Sequence, residues 1–165
     1  MLDNKNSIST RDMLLKDLIA QVQNENTKKY ILNRILPQLD WYGNKSRKNK
    51  KQYYFWMNVS IILGAVIPIV SILADGKTWV KVMIAALGAS VTAINSFIIL
   101  HNFRDLWITY RKNREFLFRT LYCYFNNAGV FSQKLTQQEK DILLVNICED
   151  EILKEINGWQ SYMEK

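Results

Sequence analysis

At 165 residues the chain has room for one domain or one short membrane module, and its net charge of +7 gathers on the flanks of an apolar middle third. No recognised nucleic-acid motif accompanies that charge, so nucleic acid is not the expected partner. Cys123 and Cys148 lack metal-ligand spacing and are too few for a disulfide scaffold, and the polar first fifty residues carry no leading apolar stretch of the kind a secretory leader needs.

The first periodic segment runs from Asp12 to Val22, with Met13, Leu14, Leu15, Leu18, Ile19 and Val22 forming a helical stripe. Residues Asn24 to Thr27 interrupt it. A second helix is expected from near Thr27 through Ile31, Ile35, Leu39 and Tyr42, disturbed at Pro37 and leading straight into the apolar centre. Residues 1–52 therefore read as N-terminal cytoplasmic helices.

Residues 53–100 read as a transmembrane hairpin. Tyr53 to Ala74 is 22 residues without a charge, about 33 Å of helix against a hydrocarbon core of roughly 30 Å. Val82 to Leu100 adds 19 more, with Lys81 near enough to the end to snorkel and a tight break at Asp75-Gly76-Lys77 between the runs. Lys45, Arg47, Lys48, Lys50 and Lys51 precede the first run, and Arg104, Arg111, Lys112, Arg114 and Arg119 follow the second. The positive-inside rule then predicts an inner-membrane protein with both termini in the cytoplasm. Tyr53, Tyr54, Trp56, Trp79 and Trp107 are expected at the interfaces.

On a helical wheel Ser60, Gly64, Pro68 and Ser71 share a stripe of the first span, and Ala85, Ala89 and Ala93 recur every four residues on the second. Small residues let backbones approach, so these two stripes are the expected packing seam, with Pro68 kinking the first span. Lys81, Gly88, Thr92 and Asn95 form an adjacent polar row, while Met83, Ile84, Leu87, Val91, Ile94 and Ile98 are expected to face lipid. Asn58 lies at the depth of Asn95, which allows an amide pair or a ring, inside one hairpin or across subunits. A polar row at membrane depth faces either other protein or a water-filled path.

Residues 101–165 read as C-terminal cytoplasmic helices. The second span is expected to continue unbroken through Phe103, Leu106, Trp107, Tyr110, Leu117 and Leu121 to Phe125, ending at Asn126-Asn127-Ala128-Gly129. Thr136-Gln137-Gln138-Glu139 is a capping box that opens the last helix, with an apolar seam at Ile142, Val145, Cys148, Ile152, Ile156, Trp159 and Met163. The fold class is thus all-α: a two-span hairpin with long cytoplasmic extensions packed as a helical bundle.

No catalytic constellation, phosphate loop, metal set or cofactor motif is evident, so the chain is not expected to be an enzyme. His101 and Asp105 are one turn apart, either a solvated pair or an interfacial hydrogen bond. Glu149, Asp150, Glu151 and Glu155 form an acidic patch, read as a solvated face that complements the basic helix after the second span.

"RILPQLDWYGNKSRKNKKQYYFWMNVSIILGAVIPI" and "FRDLWITYRKNREFLFRTLYCYFNNAGVF" resemble uncharacterised bacterial two-transmembrane proteins allied to the SLATT group, the SMODS- and SLOG-associating two-TM effectors. Trp41, Tyr42, Trp107, Tyr110, Arg111 and Glu115 match the family pattern, Arg111 and Glu115 being spaced to pair on one helix face. The resemblance implies a membrane effector of bacterial conflict or antiphage defence, triggered by a cytoplasmic sensor protein. It brings no catalytic residues.

The polar row left after the seam is assigned motivates a homo-oligomer of four or more subunits conducting ions through the bilayer, with Gly88, Thr92 and Asn95 lining or flanking the path and Lys81 near its mouth. The alternative is a non-conducting anchor whose cytoplasmic helices bind a partner. A third reading has the basic helices binding a nucleotide or an anionic lipid, to be tested by charge reversal at Arg111 and Arg114.

Overall fold

The computed structural model describes residues 15, 17–72, 77–132 and 134–163, with the side chains of 156–163 excepted. The described chain is all-helical, without a strand among the described residues. After a helical stretch at 17–20 come α1 (Glu25–Tyr30), a π-helical turn (Ile31–Ile35), α2 (Leu36–Ile72), α3 (Thr78–His101), α4 (Phe103–Phe125), a 3-10 turn (Gly129–Phe131) and α5 (Gln137–Met163).

Local chemistry explains the joints. Asn24 caps α1 by accepting from the Asn26 amide at 3.0 Å. The π turn answers Pro37, which lacks the N–H that an α-turn would use, and the Leu36 amide bonds back five residues to Ile31. At the end of α4, Asn127 adopts a left-handed conformation at φ 50° while Ala128 N–H reaches Cys123 O at 2.9 Å and Asn127 N–H reaches Tyr124 O at 3.3 Å, a Schellman closure. The capping box is formed reciprocally: Glu139 accepts from the Thr136 amide at 2.7 Å, and Thr136 Oγ1 accepts from the Glu139 amide at 3.3 Å.

One expected element is two. The helix after the second apolar run is not continuous: Asn102, at φ 45° and ψ 35°, separates α3 from α4. Asparagine is among the few non-glycine residues that tolerate this region, which is why no glycine or proline marks the break.

The chain divides into two compact units, one of residues 1–42 with 113–165 and the other of residues 43–112. In the first unit Ile31, Ile35, Leu39 and Tyr42 from the π turn and α2 are buried, as are Leu117, Phe118, Leu121 and Tyr124 of α4. Phe131 and, from α5, Leu144, Cys148 and Ile152 complete its core, with Leu15 and Ile19. Cys148 and Ile152 thus lie on the expected α5 seam and Val145 is half-buried, but the first turn of the helix departs from it. Ile142 is 55% exposed, because the neighbouring Asp141 takes the inward position through hydrogen bonds. Met13 and Leu14 of the first stripe lie outside the described residues, as do the side chains of Ile156, Trp159 and Met163.

The second unit holds the apolar runs. The described chain contains two helices long and apolar enough to cross a membrane, and only 6% of the most apolar window of each is buried. The expected break at Asp75-Gly76 falls outside the described residues.

Candidate functional site

Within the second unit, α2 and α3 meet along aliphatic faces. Val80 is buried, and Ile84, Leu87, Val91, Ile94 and Ile98 are half-buried at alternating three- and four-residue steps. Trp56, Val59, Leu63, Val66, Ile67 and Val70 of α2 show the same partial burial, while Ser60 is 6% exposed. Ser60 Oγ donates to Asn95 Oδ1 at 3.0 Å, and the Trp56 ring meets the edge of Phe97 at 5.4 Å.

Ser60 and Gly64 keep their places on the expected seam, but its other members do not. Ala85, Ala89 and Ala93 are exposed, as are Pro68 and Ser71, and the face assigned to lipid turns toward α2 instead. Gly64 and Gly88 are half-buried, yet a Cβ at either would meet nothing within 4 Å, so neither permits a close approach inside this chain. The physical reason is size: branched aliphatics fill the gap between two helices where alanines would leave it empty, and the serine–asparagine bond locks that rotation. Within this chain the partner of Asn95 is Ser60, and Asn58 is exposed. The helix α2 runs on past Pro68 to Ile72.

The hydroxyls of α3 are exposed and bond within their own helix. Thr92 Oγ1 donates to Gly88 O at 3.1 Å, Ser96 to Thr92 O at 2.9 Å and Ser90 to Ala86 O at 2.8 Å. Each hydroxyl thus gives its proton to its own helix and keeps its oxygen lone pairs for whatever lies outside. Lys81 is exposed one turn into α3. Ser90 and Ser96 were missed by sequence reasoning, although their spacing with Thr92 and the alanines signals one small-residue face.

At the other end of α3 aromatic rings close around the Asn102 joint. His101 stacks on Phe103 at 5.2 Å and 16°, lies 4.1 Å from Phe97, and its Nδ1 is 3.1 Å from Phe97 O. Among the matched family positions, Tyr110 is buried, Trp107 half-buried and Arg111 exposed. Lys50 Nζ lies 5.6 Å from the Trp107 ring centroid and 6.0 Å from that of Tyr54, and Ser46 Oγ donates to Trp107 O at 3.0 Å. The Trp107 indole N–H is buried with no hydrogen-bond acceptor.

The first unit carries polar clasps instead. Asp141, 5% exposed, accepts from Tyr124 Oη at 2.5 Å, Asn24 Nδ2 at 2.7 Å and Gln137 Nε2 at 2.9 Å. Burial alone would raise its pKa, but these donors hold the carboxyl below the usual carboxylate range. Burial and the facing carboxylate push the Tyr124 phenol up.

The acidic patch packs differently from the expected match with the basic helix after the second span. Glu149 takes both Arg34 nitrogens at 3.0 Å and the Tyr30 hydroxyl at 2.9 Å, both partners lying before α2. The Arg34 hydrogen bond is the main reason its carboxyl sits low. Tyr42, a matched family position, donates to Glu155, while its neighbour Trp41 is 41% exposed. Cys148 is enclosed and its thiol pushed up to about 12, mainly by desolvation, which leaves it unreactive. Arg114, on the basic helix of the third reading, donates to Leu39 O at 3.2 Å and lies over the Phe118 ring at 4.9 Å. Glu115 is exposed beside a shallow groove of about 490 Å³ lined also by Phe118, Arg119, Tyr122 and Cys123.

A family model described as "Protein of unknown function (DUF4231)" matches residues 37–139, which spans α2, α3 and α4 and reaches the start of α5. No curated protein matches the chain. No solved structure does either.

Proposed function

The chain belongs to the DUF4231 family, and on that premise we propose that it is a homo-oligomeric membrane protein whose α2 and α3 cross the bilayer as a hairpin and whose assembled copies conduct ions. The observation that carries this reading is the α3 face left uncovered in a single chain: Ala85, Ala89 and Ala93, with Ser90, Thr92 and Ser96 beside them. In lipid, small residues are the preferred helix–helix contact, and hydroxyls that bond their own backbone can sit at depth without an orphaned group. Two helices cannot enclose a water-filled path, so four or more copies close a ring, with Thr92 and the free amide of Asn95 toward the path, Gly88 flanking it and Lys81 near its mouth.

The lysine and arginine clusters at both flanks favour the inner membrane with both termini in the cytoplasm. There the first unit couples a cytoplasmic sensor to the spans, as expected of a membrane effector allied to the SLATT group and used in antiphage defence. The reading assigns no catalytic step and no cofactor. A non-conducting anchor is the second reading, favoured by the groove beside Glu115, Arg119 and Tyr122 as a partner surface.

Two measurements on purified protein separate them. The conducting reading expects an assembly of at least about four chains in detergent and cation or anion flux in liposomes. It further expects Ala89→Leu to break the assembly and Thr92→Val to alter flux with the assembly intact. A monomer or dimer that passes no ions under any trigger favours the anchor.

A further inference from the structure

The second unit carries charge of almost one sign. Residues 43–112 hold ten lysines and arginines against Asp75 and Asp105, so this unit alone accounts for the positive excess of the chain. Lys48, Lys50 and Lys51 are exposed before the first apolar run, as are Arg104, Arg111 and Lys112 after the second. Lys81 is exposed one turn into α3, on the face it shares with Gly88 and Thr92. No carboxylate pairs with it among the described residues, and α3 itself contains no aspartate or glutamate. Further along the same face the polar groups are neutral and of mixed sense. Ser60 Oγ donates to Asn95 Oδ1 at 3.0 Å, which leaves both amide protons of Asn95 as donors without an acceptor among the described residues. Thr92 and Ser96 give their protons to Gly88 O and Thr92 O and present oxygen instead. Neutral dipoles of opposite sense offset one another, so the full charge of Lys81 decides.

We infer that the path proposed above passes small inorganic anions such as chloride in preference to cations, with Lys81 selecting at one mouth and the Asn95 amide donating to the ion at depth. This selectivity rests on the conducting reading. A ring of four or more copies repeats each lysine around one axis. Rings of Lys or Arg select anions, as rings of Asp or Glu select cations. A mouth lined with one sign raises the local concentration of the opposite ion by roughly tenfold or more, and salt screens the effect.

The test uses the purified full-length protein in planar bilayers of neutral lipid, under an asymmetric potassium chloride gradient. The wild-type reversal potential should lie toward the chloride equilibrium value. Chloride should be favoured over potassium by roughly tenfold at low salt and by less at high salt. Lys81→Gln should lower that ratio severalfold, and Lys81→Glu should bring it to unity or invert it. Asn95→Asp keeps an acceptor for Ser60 but replaces the amide donor by oxygen, so it should lower the ratio as well. Lys29→Gln, at an exposed lysine of the first unit, should behave as wild type. Where the Lys81 variants fail to assemble, the wild-type reversal potential alone decides the sign. A wild-type reversal potential toward the potassium value overturns the selectivity and leaves conduction standing. A ratio unchanged in assembled Lys81→Gln and Lys81→Glu does the same. An assembly that passes no current at either polarity removes conduction and the selectivity together.

Discussion

The two units of the chain handle polar groups in opposite ways. In the first, side chains bond across helices: Asp141 to Tyr124 and Asn24, Glu149 to Arg34 and Tyr30, Tyr42 to Glu155. In the second, three hydroxyls of α3 bond back to their own helix, and a single described side-chain bond, Ser60 to Asn95, links the two apolar segments. The first pattern is what a water-surrounded core needs, where each long-range bond specifies a partner. The second leaves long apolar faces uncovered, with Ile69 at 59% and Ile72 at 83% exposure. Such faces are costly in water and ordinary in lipid.

The contrast breaks first at the core of the first unit. Leu121 is fully buried, so Leu121→Ala should lower the stability of that unit by roughly 2–5 kcal/mol, measured by urea unfolding in mild detergent. Ile69→Ala, on an exposed face, should leave the same transition within about 0.5 kcal/mol. Ile62→Arg, on an equally exposed face at the centre of the same run, sharpens the comparison further. An exposed arginine is nearly neutral in water, whereas mid-span it should penalise insertion by roughly 2.5–3.5 kcal/mol in a membrane-integration assay.

Asp141→Ala should follow at about 1–3 kcal/mol, since it strands the Tyr124 hydroxyl and the Asn24 and Gln137 amides. The pH dependence has a definite sign. The folded-state pKa of Asp141 is depressed, so its stabilisation is complete above the unfolded carboxylate value near 3.9 and is lost as pH falls through the lower folded value. Melting followed by the near-ultraviolet signal of the tyrosines should drop between about pH 5 and 2, and less steeply in Asp141→Asn. A smaller loss is expected of Ser60→Ala, roughly 0.5–1.5 kcal/mol within the helix pair, read by steric-trap unfolding in bicelles.

How much of this was legible in the sequence divides along the range of each interaction. The Thr136–Glu139 cap, the Ile31-Ile35-Leu39-Tyr42 stripe and the stop at Asn126-Asn127 are decided by residues within one or two turns, and the pattern shows them. The rotation of α3 is a different matter. Its run is apolar on nearly every side, so small size pointed to the Ala85-Ala89-Ala93 column while volume selected Ile84, Leu87 and Val91. The Asn102 break left no glycine or proline to read. The partners of Glu149 lie 115 and 119 residues away, and only the folded chain identifies them. In the polar row, Thr92 and Asn95 were visible as types, but Ser60 as the partner of Asn95 depends on that same rotation.

The account stands on lipid being the medium around the long helices, and fractionation reads that most directly. Cells expressing the full chain are lysed without detergent, and the lysate is centrifuged at high speed after an alkaline carbonate wash. The account predicts the protein in the membrane pellet, extracted only by detergent. Recovery of folded protein in the wash supernatant would contradict it.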